Sequence, residues 1–254
     1  MATFSSFLNI LPDPNNPIGE GGQAGGTDGP GFKSIKFTST APIQVSRTNS
    51  GRVITRQIAG HKWDVAITYN PMTRDDFEPV FSFLLQQKGR LNPFYVQLPN
   101  QYTARNSLFA ACGAVTGNLI KNKYALTRGM DYMIQSLHDT TVVSGEPTKS
   151  PKPGDMFTIT DTNDSLHTKA YRVTRVMTFA THWTGLVTAD VPISDNSERG
   201  IYFTPNLQRD VIATQSIIYK NPKIRVILNK DIQEYSLGTN NLYTFSLNLE
   251  EAQA

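Results

Sequence analysis

The chain has 254 residues, 39% of them hydrophobic and 10% aromatic, enough to fill one large core or two modest ones, which makes it globular rather than disordered. Lysine and arginine exceed aspartate and glutamate by three, 24 against 21, and no basic run occurs, so charge lends only weak support to a nucleic-acid surface. A single cysteine, Cys112, excludes an intrachain disulfide and a cysteine-built zinc site.

The first residues lack a basic signal-like region, and no apolar run approaches the roughly 20 residues that span a bilayer. A soluble, unprocessed chain without membrane insertion is expected. Residues 11 to 32 hold Pro12, Pro14, Pro17, Pro30 and seven glycines, a composition that cannot offset its own ordering entropy. Residues 1–31 therefore read as a flexible Gly/Pro-rich arm that the monomer can lose. Its apolar cluster of Phe4, Phe7, Leu8, Ile10 and Leu11 would be carried onto a neighbouring surface.

From Phe32 the pattern turns to short strands of period two. Ile43 and Val45 lead into the turn Asn49-Ser50-Gly51, and Val53 to Ile58 return, which predicts a hairpin. Trp63, Val65, Ile67 and Tyr69 then fall on one face of a strand with one covered side. Phe77, Val80, Phe81, Leu84 and Leu85 recur at helical steps ahead of Gly89, a suitable left-handed stop. Pro79 belongs in a first turn, so the helix is expected to be capped at Asp75 or Asp76 and to pack on the strand face bearing Trp63. Phe94, Val96 and Leu98 make the next strand.

Residues 103–206 have shorter strands, more turns and more threonine. The turn Lys152-Pro153-Gly154-Asp155 feeds a strand to Ile159, and Ala170 to Val176 returns. Further strands are expected at Leu119-Ile120, Tyr132 to Ile134 and Gly185 to Val191. Val211–Tyr219, Ile224–Leu228 and Leu242–Leu249 are expected to rejoin the first domain. The fold class is thus mainly β: an antiparallel β-sandwich or split-barrel domain with one packed helix, formed by 32–102 and 207–254, carrying a second small inserted β domain at 103–206. The alternating Tyr243, Phe245, Leu247 and Leu249 need a sheet to lie on, and the nearest candidate is the strand-rich stretch from Ile43 to Leu98, more than a hundred residues upstream.

Chemistry is sparsely encoded. His61, His138, His167 and His182 stand far apart with no second ligand at metal-binding spacing, and Cys112 sits among small apolar residues without a base. Asp75-Asp76 is accounted for by helix capping, and the glycines between 19 and 31 lack the strand and helix of a phosphate loop. No catalytic residue, cofactor or metal is expected, and the chain does not read as an enzyme. Arg47, Arg52 and Arg56 along the hairpin, with Phe4, Phe7 and Leu8 of the arm, are candidates for an inter-subunit interface; solvated arginines are the simpler alternative. Phe179, His182 and Trp183 form a candidate platform for a sugar or a single strand.

Several of these pieces resemble distal-tail and minor-tail β-sandwich proteins of long-tailed bacteriophages. They are the Ser46-Arg-Thr-Asn-Ser-Gly51 hairpin, the aromatic strand, the helix start Met72-Thr-Arg-Asp-Asp-Phe77, Gly89 before Phe94-Tyr-Val96, the Lys-Pro-Gly-Asp turn with Lys169-Ala-Tyr-Arg-Val173, and the closing Tyr243 to Glu251. The resemblance covers about half the chain and concerns fold, not chemistry. It implies a virion protein made in the host bacterial cytoplasm, a hexameric ring that joins the tail-tube protein to hub or baseplate proteins and meets DNA only in passage. A carbohydrate- or receptor-binding module and a head-tail connector or tail-completion ring stay open as alternatives.

Overall fold

The computed structural model describes residues 9–13, 17–18, 27–28, 30–57, 60–117, 119–137, 149–178, 198–231 and 233–252. In chain order its elements are β1 (Pro17–Ile18), β2 (Thr27–Asp28), β3 (Phe32–Thr40), β4 (Ile43–Arg47), β5 (Val53–Gln57), β6 (Lys62–Tyr69), α1 (Arg74–Gln86), β7 (Phe94–Gln97), α2 (Ser107–Ala110), α3 (Gly113–Thr116), β8 (Ile120–Asn122), β9 (Tyr132–Leu137), β10 (Met156–Thr160), β11 (Ala170–Thr178), β12 (Glu198–Thr204), β13 (Ser216–Ile218), β14 (Lys223–Leu228), β15 (Tyr235–Leu237) and β16 (Tyr243–Glu251). The protein is mainly β, with antiparallel sheets. Among the described residues, no helix is long and apolar enough to cross a membrane.

Described residues of Met1–Val96 and Arg225–Ala252 form one compact unit, and those of Gln97–Ile224 form another. The first unit is a sheet in the order β3-β6-β16-β14-β7, with β15 paired to the start of β16. Strict alternation builds it. Every second residue of β6 is buried, from Trp63 to Tyr69, and Leu247 and Leu249 of β16 stand opposite Ile67 and Val65 on the same face. Two ties lock the far ends of these strands: Lys62 Nζ donates to Glu250 at 2.6 Å, and the Trp63 backbone N–H donates to Glu251 Oε2 at 3.0 Å.

Helix α1 lies on that apolar face through Phe77, Val80 and Leu84, with Phe77 stacked on Tyr243 at 4.5 Å and Phe81 edge-on to Phe245 at 6.1 Å. It starts earlier than the proline suggests. Thr73, not Asp75 or Asp76, precedes the first turn, and Pro79 sits inside the helix. The Phe77 N–H already donates to the Thr73 carbonyl at 3.0 Å, so the ladder forms upstream and Pro79 forgoes one bond. Leu85, counted on the apolar stripe, is 57% exposed.

The expected arm is corrected where it is described. The Leu11 N–H donates to the Tyr95 carbonyl and the Tyr95 N–H to the Asn9 carbonyl, both at 2.8 Å, with Ile10 bridged in parallel to Tyr95. Residues 9–11 thus cover the edge of β7, Leu11 is fully buried, and the Tyr69 hydroxyl donates to the Pro12 carbonyl at 3.1 Å. Gly/Pro content marks a chain that avoids helix and ladder, not one that cannot seat a leucine in a core.

The second unit is a closed barrel, β10-β11-β12-β9-β8-β13. It is filled: Phe157, Tyr171, Phe203 and Tyr219 meet ring to ring at 5.2 to 5.6 Å, with Phe109 of α2 against Tyr219. The boundary at 207 is corrected by β13, and the one at 102 moves to Val96/Gln97. Its Ile217 pairs with Ile159 of β10 and Ser216 with Lys121 of β8, so 207–224 belongs to the barrel. An alternating strand fixes which residues point inward but not which sheet it joins. The strand expected at Gly185–Val191 lies outside the described residues.

Candidate functional site

The hairpin β4–β5 is a two-stranded sheet of its own. Its five pairs run from Ile43 opposite Gln57 to Arg47 opposite Val53, and a turn at Thr48 to Gly51 closes it. Gly51, at φ +79°, supplies the left-handed residue that turn requires. The Arg52 N–H donates to Thr48 Oγ1 at 3.1 Å, which stiffens the tip.

Directly opposed residues share a face, so the register sorts the side chains. Ile43, Val45, Arg47, Val53 and Thr55 point to one side; Gln44, Ser46, Ile54 and Arg56 point to the other, with Arg52 in phase with Ile54 and Arg56. All of these residues are exposed, including Ile43 at 58%, Val45 at 60%, Val53 at 49% and Ile54 at 53%. Arg47, Arg52 and Arg56 therefore sit on one element but not on one face, and none of them makes an ion pair among the described residues. The apolar residues between them are the part the sequence did not announce as a surface. Their alternation with polar neighbours reads equally well as a strand covering a core. Phe4, Phe7 and Leu8, and the platform of Phe179, His182 and Trp183, lie outside the described residues.

Elsewhere the polar clusters serve structure. His167 is buried, with Nε2 at 2.8 Å from the Tyr171 hydroxyl, which also accepts from the Gln208 backbone N–H at 3.2 Å. Burial pushes the imidazole's proton affinity down; Asp161 and Asp164 push it up, and Arg209 lowers it further. Arg209 holds Asp164 at 2.9 Å. His61 meets Ser39 Oγ at 2.8 Å and stands edge-on to Trp63. Asp155, in the Lys-Pro-Gly-Asp turn, accepts from the Arg105 and Lys152 backbone N–H groups at 3.0 and 2.8 Å, and so pins the turn to the segment leading into α2. Cys112 is buried in the barrel core.

Among the described residues, no group of three His, Cys, Asp or Glu side chains is placed to hold a metal ion. An open groove on the first sheet's outward face is lined by Lys36, Thr38, Asp64, Asn229, Lys230 and Asn248. Asp64 there is engaged by Thr40 at 2.8 Å. No protein-family model matches the chain, and no curated protein matches it.

Proposed function

We propose that this protein is a structural component of a bacteriophage tail tip or baseplate, in which copies associate through β4–β5 into a closed ring, six-fold by resemblance, that joins tail tube to hub and lets DNA pass. One observation carries the assembly part of this reading: a hairpin with both faces in solvent and four large apolar side chains exposed. A lone two-stranded ribbon gains too little burial to justify that apolar content by itself, and a third layer supplied by another subunit would provide it. The tail assignment draws on the sequence resemblance. The barrel is filled by its own aromatic residues, and His61 and His167 are engaged in hydrogen bonds to Ser39 and Tyr171.

The test is Val45→Asp in the full chain. The variant should keep its circular dichroism spectrum and melting temperature while losing the oligomer seen by light scattering. An undiminished oligomer removes the hairpin from assembly.

A further inference from the structure

Ring closure requires a second surface, different from the hairpin, because a head-to-tail contact joins two unlike patches of one chain. The first unit offers one with matching chemistry. Strand β15 pairs only with β16, so its other edge is open among the described residues. Its Tyr235 and Leu237 are 51% and 53% exposed, although Tyr235 also touches Phe77 at 5.0 Å and Phe81 at 5.4 Å. Those ring contacts bring the start of α1 alongside β15. Asp75, in the first turn of the helix whose Phe77 touches Tyr235, and Glu234, next to Tyr235 in sequence, are both exposed, and neither is in an ion pair among the described residues.

The inward candidate on the hairpin is its Val45 face, which combines Ile43, Val45 and Val53 with Arg47. One surface thus shows three aliphatic side chains and an unpaired cation; the other shows a tyrosine, a leucine and two unpaired carboxylates beside an open strand edge. We infer that the occupant of the β15 edge is the β4–β5 hairpin of a second copy of this chain. Val45 and its neighbours then cover Tyr235 and Leu237, and Arg47 meets Asp75 or Glu234. Burial of the apolar groups supplies affinity, while the charges select the orientation. This inference rests on the assembly reading above and adds the surface that receives the hairpin.

Two variants of the full chain separate the two statements. Leu237→Asp should weaken assembly by about tenfold or more, as Val45→Asp does. Val45→Cys and Leu237→Cys proteins, one carrying a size tag, should give a mixed disulfide dimer when combined and oxidised. Arg47→Glu should weaken assembly, and adding Glu234→Arg with Asp75→Arg should recover it. Full assembly of Leu237→Asp, with Val45→Asp still defective, overturns the β15 acceptor and leaves hairpin assembly standing. Full assembly of both, or a wild-type protein that stays monomeric, overturns both.

Discussion

Leu11 is the residue at which composition misleads most. It lies in a stretch dominated by proline and glycine, yet it is fully buried and its N–H is bonded to Tyr95. Leu11→Ala should cost about 2 to 5 kcal/mol, read as a lower denaturant midpoint with an unchanged slope. Removing residues 1–13 should destabilise the monomer at least as much, where a dispensable arm would leave it unchanged. His167 sets a pH dependence. Its folded-state proton affinity is lowered, chiefly by burial, with Asp161 and Asp164 opposing and Arg209 assisting. The unfolded chain takes up a proton near pH 6.5 that the native site resists, so stability is full above that pH and falls as pH drops from there through the depressed native value. Chemical denaturation at pH 7.5 and about 5.5 should show this loss, and His167→Gln should reduce it; equal losses in both proteins would exclude His167 as the source.

At the scale of elements, the alternation of Trp63, Val65, Ile67 and Tyr69 identified β6 and its covered face, because period two has one reading when every second residue is large and apolar. The closing strand and its return to the first sheet were legible for the same reason, whereas its pairing with β6 in particular was not. Helix α1 was legible as a helix, but its start was not. The proline rule is local: Pro79 is accommodated inside the helix at the loss of one backbone bond, and the helix begins two or three residues earlier than the rule suggests. Gly89 is left-handed at φ +66°, but Lys88, at φ +53°, takes the first left-handed position after the helix; a Cβ on Gly89 would stand 3.2 Å from the Asp231 backbone. Gly89→Ala should therefore cost about 1 kcal/mol or more, measured as a fall in melting temperature. The hairpin was legible as a hairpin, and Arg47, Arg52 and Arg56 were correctly placed along it. Its exposed aliphatic side was not legible, since Ile43 and Val45 look the same in sequence whether they face a core, water or another subunit. Ile43→Asp should shift monomer stability by no more than about 0.5 kcal/mol while reducing assembly, in keeping with a surface that is idle until a partner covers it.

At the scale of the whole molecule, the barrel is inserted between two neighbouring strands of one sheet, β7 and β14. The ends of the insertion are close: the Asn221 N–H donates to the Tyr102 carbonyl at 3.0 Å, and Gln97 Nε2 donates to the Asn221 carbonyl at 3.4 Å. Replacing 103–220 with a short glycine-serine turn should leave a sheet-and-helix unit that unfolds cooperatively. Cutting at 207 instead would strand β13 without β10 and β8, and that product should aggregate. The most direct test of the account is the native mass of the purified full chain, measured by light scattering over a range of concentrations and paired with electron microscopy of the same sample. The account predicts a discrete oligomer seen as a closed ring; a protein that remains a monomer at every concentration would contradict it.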